Sequence, residues 1–264
     1  MKKLLSSSVT DNIKNSAILA QELNVGIEIS RFPNFSNIET DFESIILQMQ
    51  KNLITFSGQV TLHGMFFDLS PASNDPAVRA ISQKRHHQSL KAAKAINAET
   101  VVFHSGNKGM KHKISQEKFR DNSIKFWNEF IKEFEDSGIV AVIENVHERK
   151  PEMISNIVNE VNSDYLKYSL DTGHANLFSE VPITEWIQKY GHKLHHMHIH
   201  NNFGNDDEHN SLLKGTIDFH EIFKSLKENN INPIFVFEIF KQNELIESIE
   251  FFEKTYGEKL CTKN

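Results

Sequence analysis

Residues Gly138–His174 read GIVAVIENVHERKPEMISNIVNEVNSDYLKYSLDTGH. The opening run, 138–145, is apolar, of strand length, and ends on Glu144 and Asn145. Pro151 suits the first turn of a helix, predicted over 151–162. A second strand, 167–174, follows and ends LDTGH. Strand, helix and strand in this order make a βαβ unit, which requires parallel strands and a right-handed crossover. The pattern extends in both directions. Strands are predicted at 2–6, 25–29, 59–65 and 100–106 on one side and at 194–201 and 233–239 on the other. Helices are predicted at 11–23, 38–51, 75–97 and 115–137, then at 182–190, 218–230 and 242–258. Eight strands alternating with eight helices favour a closed barrel over an open doubly wound sheet. With no linker or low-complexity tract, residues 1–264 are expected to form one α/β domain, a single (β/α)8 TIM barrel.

Composition narrows the function classes. Hydrophobic residues make up 39% and charged residues 24%, as in ordinary globular proteins. The 20 Phe against 2 Trp and 4 Tyr predict a phenylalanine-rich core. The net charge is −6, and the arginines are five: Arg31, Arg79, Arg85, Arg120 and Arg149. That balance argues against a large phosphate-binding surface and against a nucleic-acid partner. Cys261 is the one cysteine, which excludes an internal disulfide and suits a reducing cytoplasm. No apolar run reaches membrane-spanning length. The opening MKKLL is followed by polar SSSVTDN, so it reads as folded protein rather than a signal peptide. No GxGxxG follows the first strand, and GxxxxGK[ST], GxSxG and CxxC are absent. A homo-oligomer is compatible with this surface.

In such a barrel the chemistry lies at the C-terminal ends of the strands and in the loops after them. There the chain carries His63 (VTLHG), His104 (VVFHSG), Glu144 (AVIEN), Asp171 and His174 (LDTGH), His200 with Asp207 and His209 in its loop, and Glu238 (VFEI). A lone His or Glu at a strand end is usually a hydrogen-bonded or solvated structural residue. Six successive strands ending in His, Asp or Glu point instead to a metal site. Glu144, Asp171, Glu238 and His200 form a mostly hard O/N set that suits Mn²⁺, with Mg²⁺, Co²⁺ or Zn²⁺ also compatible. His63, His104, His174, Asp207 and His209 either contact substrate or complete further metal sites, and histidine-rich ligation shifts the preference toward Zn²⁺. In LHHMHIH (194–200), His196, His198 and His200 share the inward face and His195 points outward. His198 lies deeper than His200 and is read as a supporting or substrate-contacting residue.

These motifs, with LHGMFFDLSPASNDPAVR and HIHNNFGNDDEHNSLLKGTIDF, resemble the xylose isomerase-like TIM-barrel superfamily. That superfamily contains the sugar phosphate isomerases and epimerases and the endonuclease IV type apurinic endonucleases. The likeness runs from VGIEIS to VFEI. For the ketose 3-epimerase members, it implies a divalent metal held by Glu144, Asp171, His200 and Glu238. One of the two glutamates removes a proton beside a carbonyl, the metal stabilises a cis-enediolate, and the other glutamate returns a proton to the opposite face. His174 would contact substrate oxygens, with His63, His104 and His198 as further candidate contacts. The resemblance thus implies an isomerase or epimerase acting on a small ketose or related sugar. The endonuclease IV type holds three zincs on nine ligands, which match His63, His104, Glu144, Asp171, His174, His200, Asp207, His209 and Glu238. The acidic, Arg-poor composition weighs against that activity, because DNA binding is largely electrostatic. A barrel that binds a sugar without turning it over is the third alternative. Two positions depart from the family pattern: Asn201 stands where Asp is common, and Leu213-Lys214-Gly215 lacks the first glycine of Gly-x-Gly.

Other residues carry weaker signals. Phe66 and Phe67 either line the pocket or pack. Glu28, near the end of the second strand, either reaches the pocket or pairs with a basic group. Asp75 and Pro76 read as a helix N-cap and first position. His86, His87, His112, His147, His192 and His220 are expected on the surface, and Lys214 and Lys241 are candidates for a substrate phosphate.

Overall fold

Each apolar run identified above becomes a strand, and the strands pair in chain order. The computed structural model describes residues 2–30, 38–109 and 112–257. The strands are β1 (Lys2–Ser6), β2 (Gly26–Ile29), β3 (Val60–His63), β4 (Thr100–His104), β5 (Val140–Glu144), β6 (Leu166–Asp171), β7 (Leu194–Ile199) and β8 (Ile234–Phe237). The helices are α1 (Ile13–Glu22), α2 (Ile38–Leu53), α3 (Pro76–Ala95), α4 (Lys113–Ser137), α5 (Glu152–Val161), α6 (Thr172–Phe178), α7 (Ile183–Tyr190), α8 (Phe219–Glu228) and α9 (Gln242–Thr255). All strand pairs are parallel, and β8 returns to β1 in the register Leu4↔Val236, which closes the barrel. The fold is therefore the expected single (β/α)8 barrel. Cys261 and Arg31 lie outside the described residues.

The strands are covered on both faces, so β4, β5 and β8 read as nearly unbroken apolar runs, whereas β6 and β7 carry polar residues at positions that face the barrel interior. The core between sheet and helices is phenylalanine-rich, with Phe103, Phe134, Phe219, Phe223, Phe235, Phe237 and Phe252 almost wholly buried. Local signals set the helix ends. The side chains of Asn12, Asp75 and Asp218 accept backbone N–H groups at the starts of α1, α3 and α8, as N-caps do. Gly138 closes α4 in the left-handed conformation that a residue without Cβ adopts cheaply. No described helix is long and apolar enough to cross a membrane.

Three expectations need correction. The sixth strand does not run through to His174. It stops at Asp171, whose carboxylate accepts the backbone N–H of His174 at 2.7 Å and so caps the short helix α6. His195 does not point out of the barrel. Tyr168 pairs with Leu194 but Ser169 pairs with His196, so His195 occupies a bulge. Its Nε2 lies 3.2 Å from Oγ1 of Thr100 on β4, three strands away, a contact that crosses the barrel at its N-terminal end. His86 is not a surface residue. It is 2% exposed and stacks on Phe103 at 4.6 Å, because α3 turns it toward the sheet.

The barrel interior is unusual in its chemistry. Branched aliphatic residues normally fill it in layers. Here Leu4, Ile234 and Val236 form a small apolar plug. Glu28, Thr61, Ser169, His196 and His198 are also fully buried. Their network supports the site above it.

Candidate metal centre

Nine polar side chains converge at the C-terminal mouth. Barrel closure delivers six of them, each the last residue of its strand or the one after it: His63, His104, Glu144, Asp171, His200 and Glu238. The N-cap at Asp171 folds α6 back over the mouth and brings in His174. The loop after β7 brings in Asp207 and His209.

Three groupings result. Nε2 of His63 and Nε2 of His104 face Oε2 of Glu144 at 3.3 and 3.2 Å. His200 Nε2 lies 3.2 Å from Asp171 Oδ2. Nε2 of His174 and of His209 face Oδ2 of Asp207 at 3.4 and 3.0 Å. His209 stacks on His200 with ring centroids 4.0 Å apart and on Phe240 at 4.2 Å. On the opposite wall, Phe66 packs on His63 at 4.8 Å and on His104 at 4.3 Å, so it lines the pocket, while Phe67 is largely exposed.

The donor set suits a divalent cation. Nδ1 of His63, His174 and His209 donates to the backbone carbonyls of Gly64, Asn145 and Glu238 at 3.0, 3.2 and 2.8 Å. That bond fixes the tautomer and turns the lone pair on Nε2 toward the carboxylates, the usual arrangement of a metal-ligating imidazole. Glu144 Oε2 and His200 Nδ1 are buried without a hydrogen-bond partner, a costly state in a native protein unless another ligand completes them. Burial alone would raise the pKa of Glu144, but His198 and His104 hold it well below the ordinary carboxylate value. Burial is likewise outweighed at Asp171 by His174 and His200, and at Asp207 by His174 and His209, so both are lowered. All three are therefore anionic at neutral pH and are candidate ligands. His209 is raised to about 9, with Asp207 and Glu238 overcoming its burial. A bound cation would displace that proton.

Several supporting residues escaped the sequence reading. Asn145 grips the backbone of Asp171 from both sides, donating to its O at 3.0 Å and accepting from its N at 2.8 Å. Gly173 leaves space for His200, since a Cβ there would lie 2.0 Å from the ring. Asn201, already singled out in the sequence, accepts the N–H of Asn202 and of Ile217, both at 3.0 Å, and thereby closes the loop 201–217. The dipeptide EN at a strand end and the Gly in LDTGH were the available signals. His198, expected among the substrate contacts, lies beneath the mouth with no exposed surface. Its Nδ1 is 2.9 Å from Glu144 Oε1 and 3.6 Å from Glu238 Oε2. Burial disfavours its charge, but Glu238, Glu144 and Glu28 raise its pKa well above the ordinary value. Lys214 and Lys241 both pair with Glu244, at 3.7 and 2.9 Å, which engages the two cations proposed for a substrate phosphate.

Comparison with known proteins places the chain in a family. The family model for the xylose isomerase-like TIM barrel matches residues 25–255, and the chain belongs to that family. Uncharacterized protein MJ1614 of Methanocaldococcus jannaschii is 32% identical over 192 residues, covering 72% of this chain and 73% of its own. Among solved structures, a D-tagatose 3-epimerase-like protein is 26% identical with a TM-score of 0.79, covering 97% of both chains. The TTHB071 protein of Thermus thermophilus, soaked with ZnCl2, superposes with a TM-score of 0.82 at 22% identity over 98% of this chain and 99% of its own.

Proposed function

We propose that the protein is a divalent-metal-dependent isomerase or epimerase of a small ketose or related sugar. The observation that carries this reading is the pair of carboxylates, Glu144 on β5 and Glu238 after β8, brought close enough at the mouth to share one imidazole neighbour, His198 Nδ1, at 2.9 and 3.6 Å. Glu144, Asp171, His200 and Glu238 would hold the cation, with Mn²⁺ or Zn²⁺ preferred and Mg²⁺ or Co²⁺ compatible with the same mixed O/N set. When bound, the cation supplies Lewis-acid polarisation of a carbonyl and its neighbouring hydroxyl. One glutamate takes the proton from the carbon beside the carbonyl. The other returns a proton to that carbon from the opposite face, or to its neighbour in an isomerisation, and the net proton count is unchanged. His174 and His104 hold substrate oxygens at the rim, and the ring of Phe66 excludes water from one wall. The likeness to a D-tagatose 3-epimerase-like protein supports this substrate class. A single cysteine suits a reducing cytoplasm.

One observation favours a second reading. Asp207 faces both His174 and His209, which completes a third ligand group beside the other two. Nine converging ligands suit a trinuclear zinc phosphodiesterase of the endonuclease IV type. Metal analysis of the purified protein, with turnover assays on ketoses and on abasic DNA, tests both. About one metal per chain with ketose turnover supports the epimerase. Near three zincs with DNA cleavage and no ketose turnover overturns it.

A further inference from the structure

Beneath the mouth, a fully buried hydrogen-bond chain crosses the barrel. His198 Nε2 lies 2.7 Å from Oε1 of Glu28, and its Nδ1 lies 2.9 Å from Oε1 of Glu144. An ionised carboxylate only accepts hydrogen bonds, so His198 donates from both nitrogens. Glu28 is held in turn. Its Oε2 accepts from Oγ1 of Thr61 and from Nε2 of His196, each at 3.0 Å. The remaining nitrogen of His196 meets Ser169 Oγ at 2.8 Å. Both nitrogens of each histidine and both oxygens of Glu28 are therefore used. The three side chains Glu28, His196 and His198 lie close enough together to hold a cation, but their hydrogen bonds are already saturated without one.

We infer that Glu28 and His198 form a strut that sets the rotation of the Glu144 carboxylate. With Oε1 tied to His198, Oε2 turns to His63 and His104, where it lacks a hydrogen-bond partner. Glu28, on β2 and away from the mouth, is thus a positioning residue for the metal ligand. The inference rests on Glu144 as a ligand, which both activities proposed above share.

Co²⁺ binding by the full chain tests it, with affinities from chelator competition and the visible absorption bands as a report of coordination. The variants are Glu28→Gln, His198→Gln, Glu144→Gln and the double Glu28→Gln/Glu144→Gln. Glu28→Gln should weaken binding about 10- to 100-fold, the range for outer-shell partners. It should shift the cobalt bands in the same direction as Glu144→Gln and add nothing in the double variant. Should His198→Gln fail to fold, the near-isosteric Glu28→Gln carries the test alone. A lower melting temperature with wild-type affinity and spectrum would mean that the chain is merely structural and overturns the strut. Effects that multiply in the double variant overturn it too, as does loss of one whole equivalent of metal, which would make the buried chain a cation site. If Glu144→Gln itself binds Co²⁺ like the wild type, Glu144 is not a ligand and the reading of the site falls with the inference.

Discussion

Gly173→Ala separates what the backbone prefers from what the site requires. Gly173 is the second residue of α6, and in a helix alanine is favoured over glycine by about 0.5–1 kcal/mol. The site opposes that preference. A Cβ at 173 would lie 2.0 Å from Cε1 of His200 and 2.7 Å from each ring nitrogen, where ordinary contact begins near 3.4 Å, so the ring must withdraw by about 1.4 Å. The ring stacks on His209 at 4.0 Å, and His209 is backed by Phe240, so a shift of the ring disturbs a packed stack. Overpacking of this kind costs about 1–3 kcal/mol, partly offset by the helix gain. The net loss of about 0–2.5 kcal/mol lowers the melting temperature of the metal-free protein by at most several degrees. The functional loss is larger, because a ligand misplaced by about 1 Å typically costs about 100-fold. Melting scans of the metal-free chain, metal affinity by chelator competition and turnover on a ketose measure the two effects separately. Wild-type affinity and turnover in a folded Gly173→Ala protein would refute the claim that this glycine exists to seat His200.

Glu238→Gln should leave the circular dichroism spectrum unchanged and abolish turnover, and near-normal turnover in that variant would sink the acid–base assignment. Stripping the metal with a chelator should lower the melting temperature, since a cation at 100 times its Kd adds about 2.7 kcal/mol; an unchanged melt would argue against a resident cation. His86, buried among Phe103, Phe126 and Phe130, has its pKa lowered by burial from 6.5 to about 4. Its contribution to stability is complete above pH 6.5 and is lost as pH falls toward 4, on the order of 3 kcal/mol. Denaturant melts at pH 7 and pH 4.5 should therefore show a smaller acid loss in His86→Leu than in the wild type, and equal losses would contradict the assignment.

Strands such as β4, β5 and β8 were legible because burial on both faces makes them apolar runs, and the candidate ligands because each stands as a His, Asp or Glu at a strand end. What stayed hidden depends on contacts between distant parts of the chain. Glu28 and His198 are 170 residues apart and meet only after the barrel closes. His195 alternates correctly in the sequence, and a bulge, which leaves no mark in the hydrophobic pattern, reverses it. Asp171 reads equally well as a strand end or a helix cap, and it is both. His86 sits in a helix of low apolar content, where nothing local distinguishes the inward face from the outward one.

The buried polar layer bears on why the barrel is built this way. Taking a carboxylate and an imidazolium out of water costs several kcal/mol per ion, and their attraction roughly recovers that cost. Well-packed aliphatic residues would fill the same space at no loss of stability, as Leu4, Ile234 and Val236 do elsewhere in the interior. Stability therefore gives no reason to keep Glu28, His196 and His198. Orientation does. A glutamate carboxylate is free to rotate about its last bond, and a ligand that must present one chosen oxygen gains from a rigid partner on the other. A backbone carbonyl cannot serve that purpose for a carboxylate, since both only accept hydrogen bonds. A buried imidazole, anchored by a second carboxylate from across the barrel, can. The polar layer and the mouth are thus one assembly, with His198 on β7 supplying the support and His200, the residue after that strand, the candidate ligand.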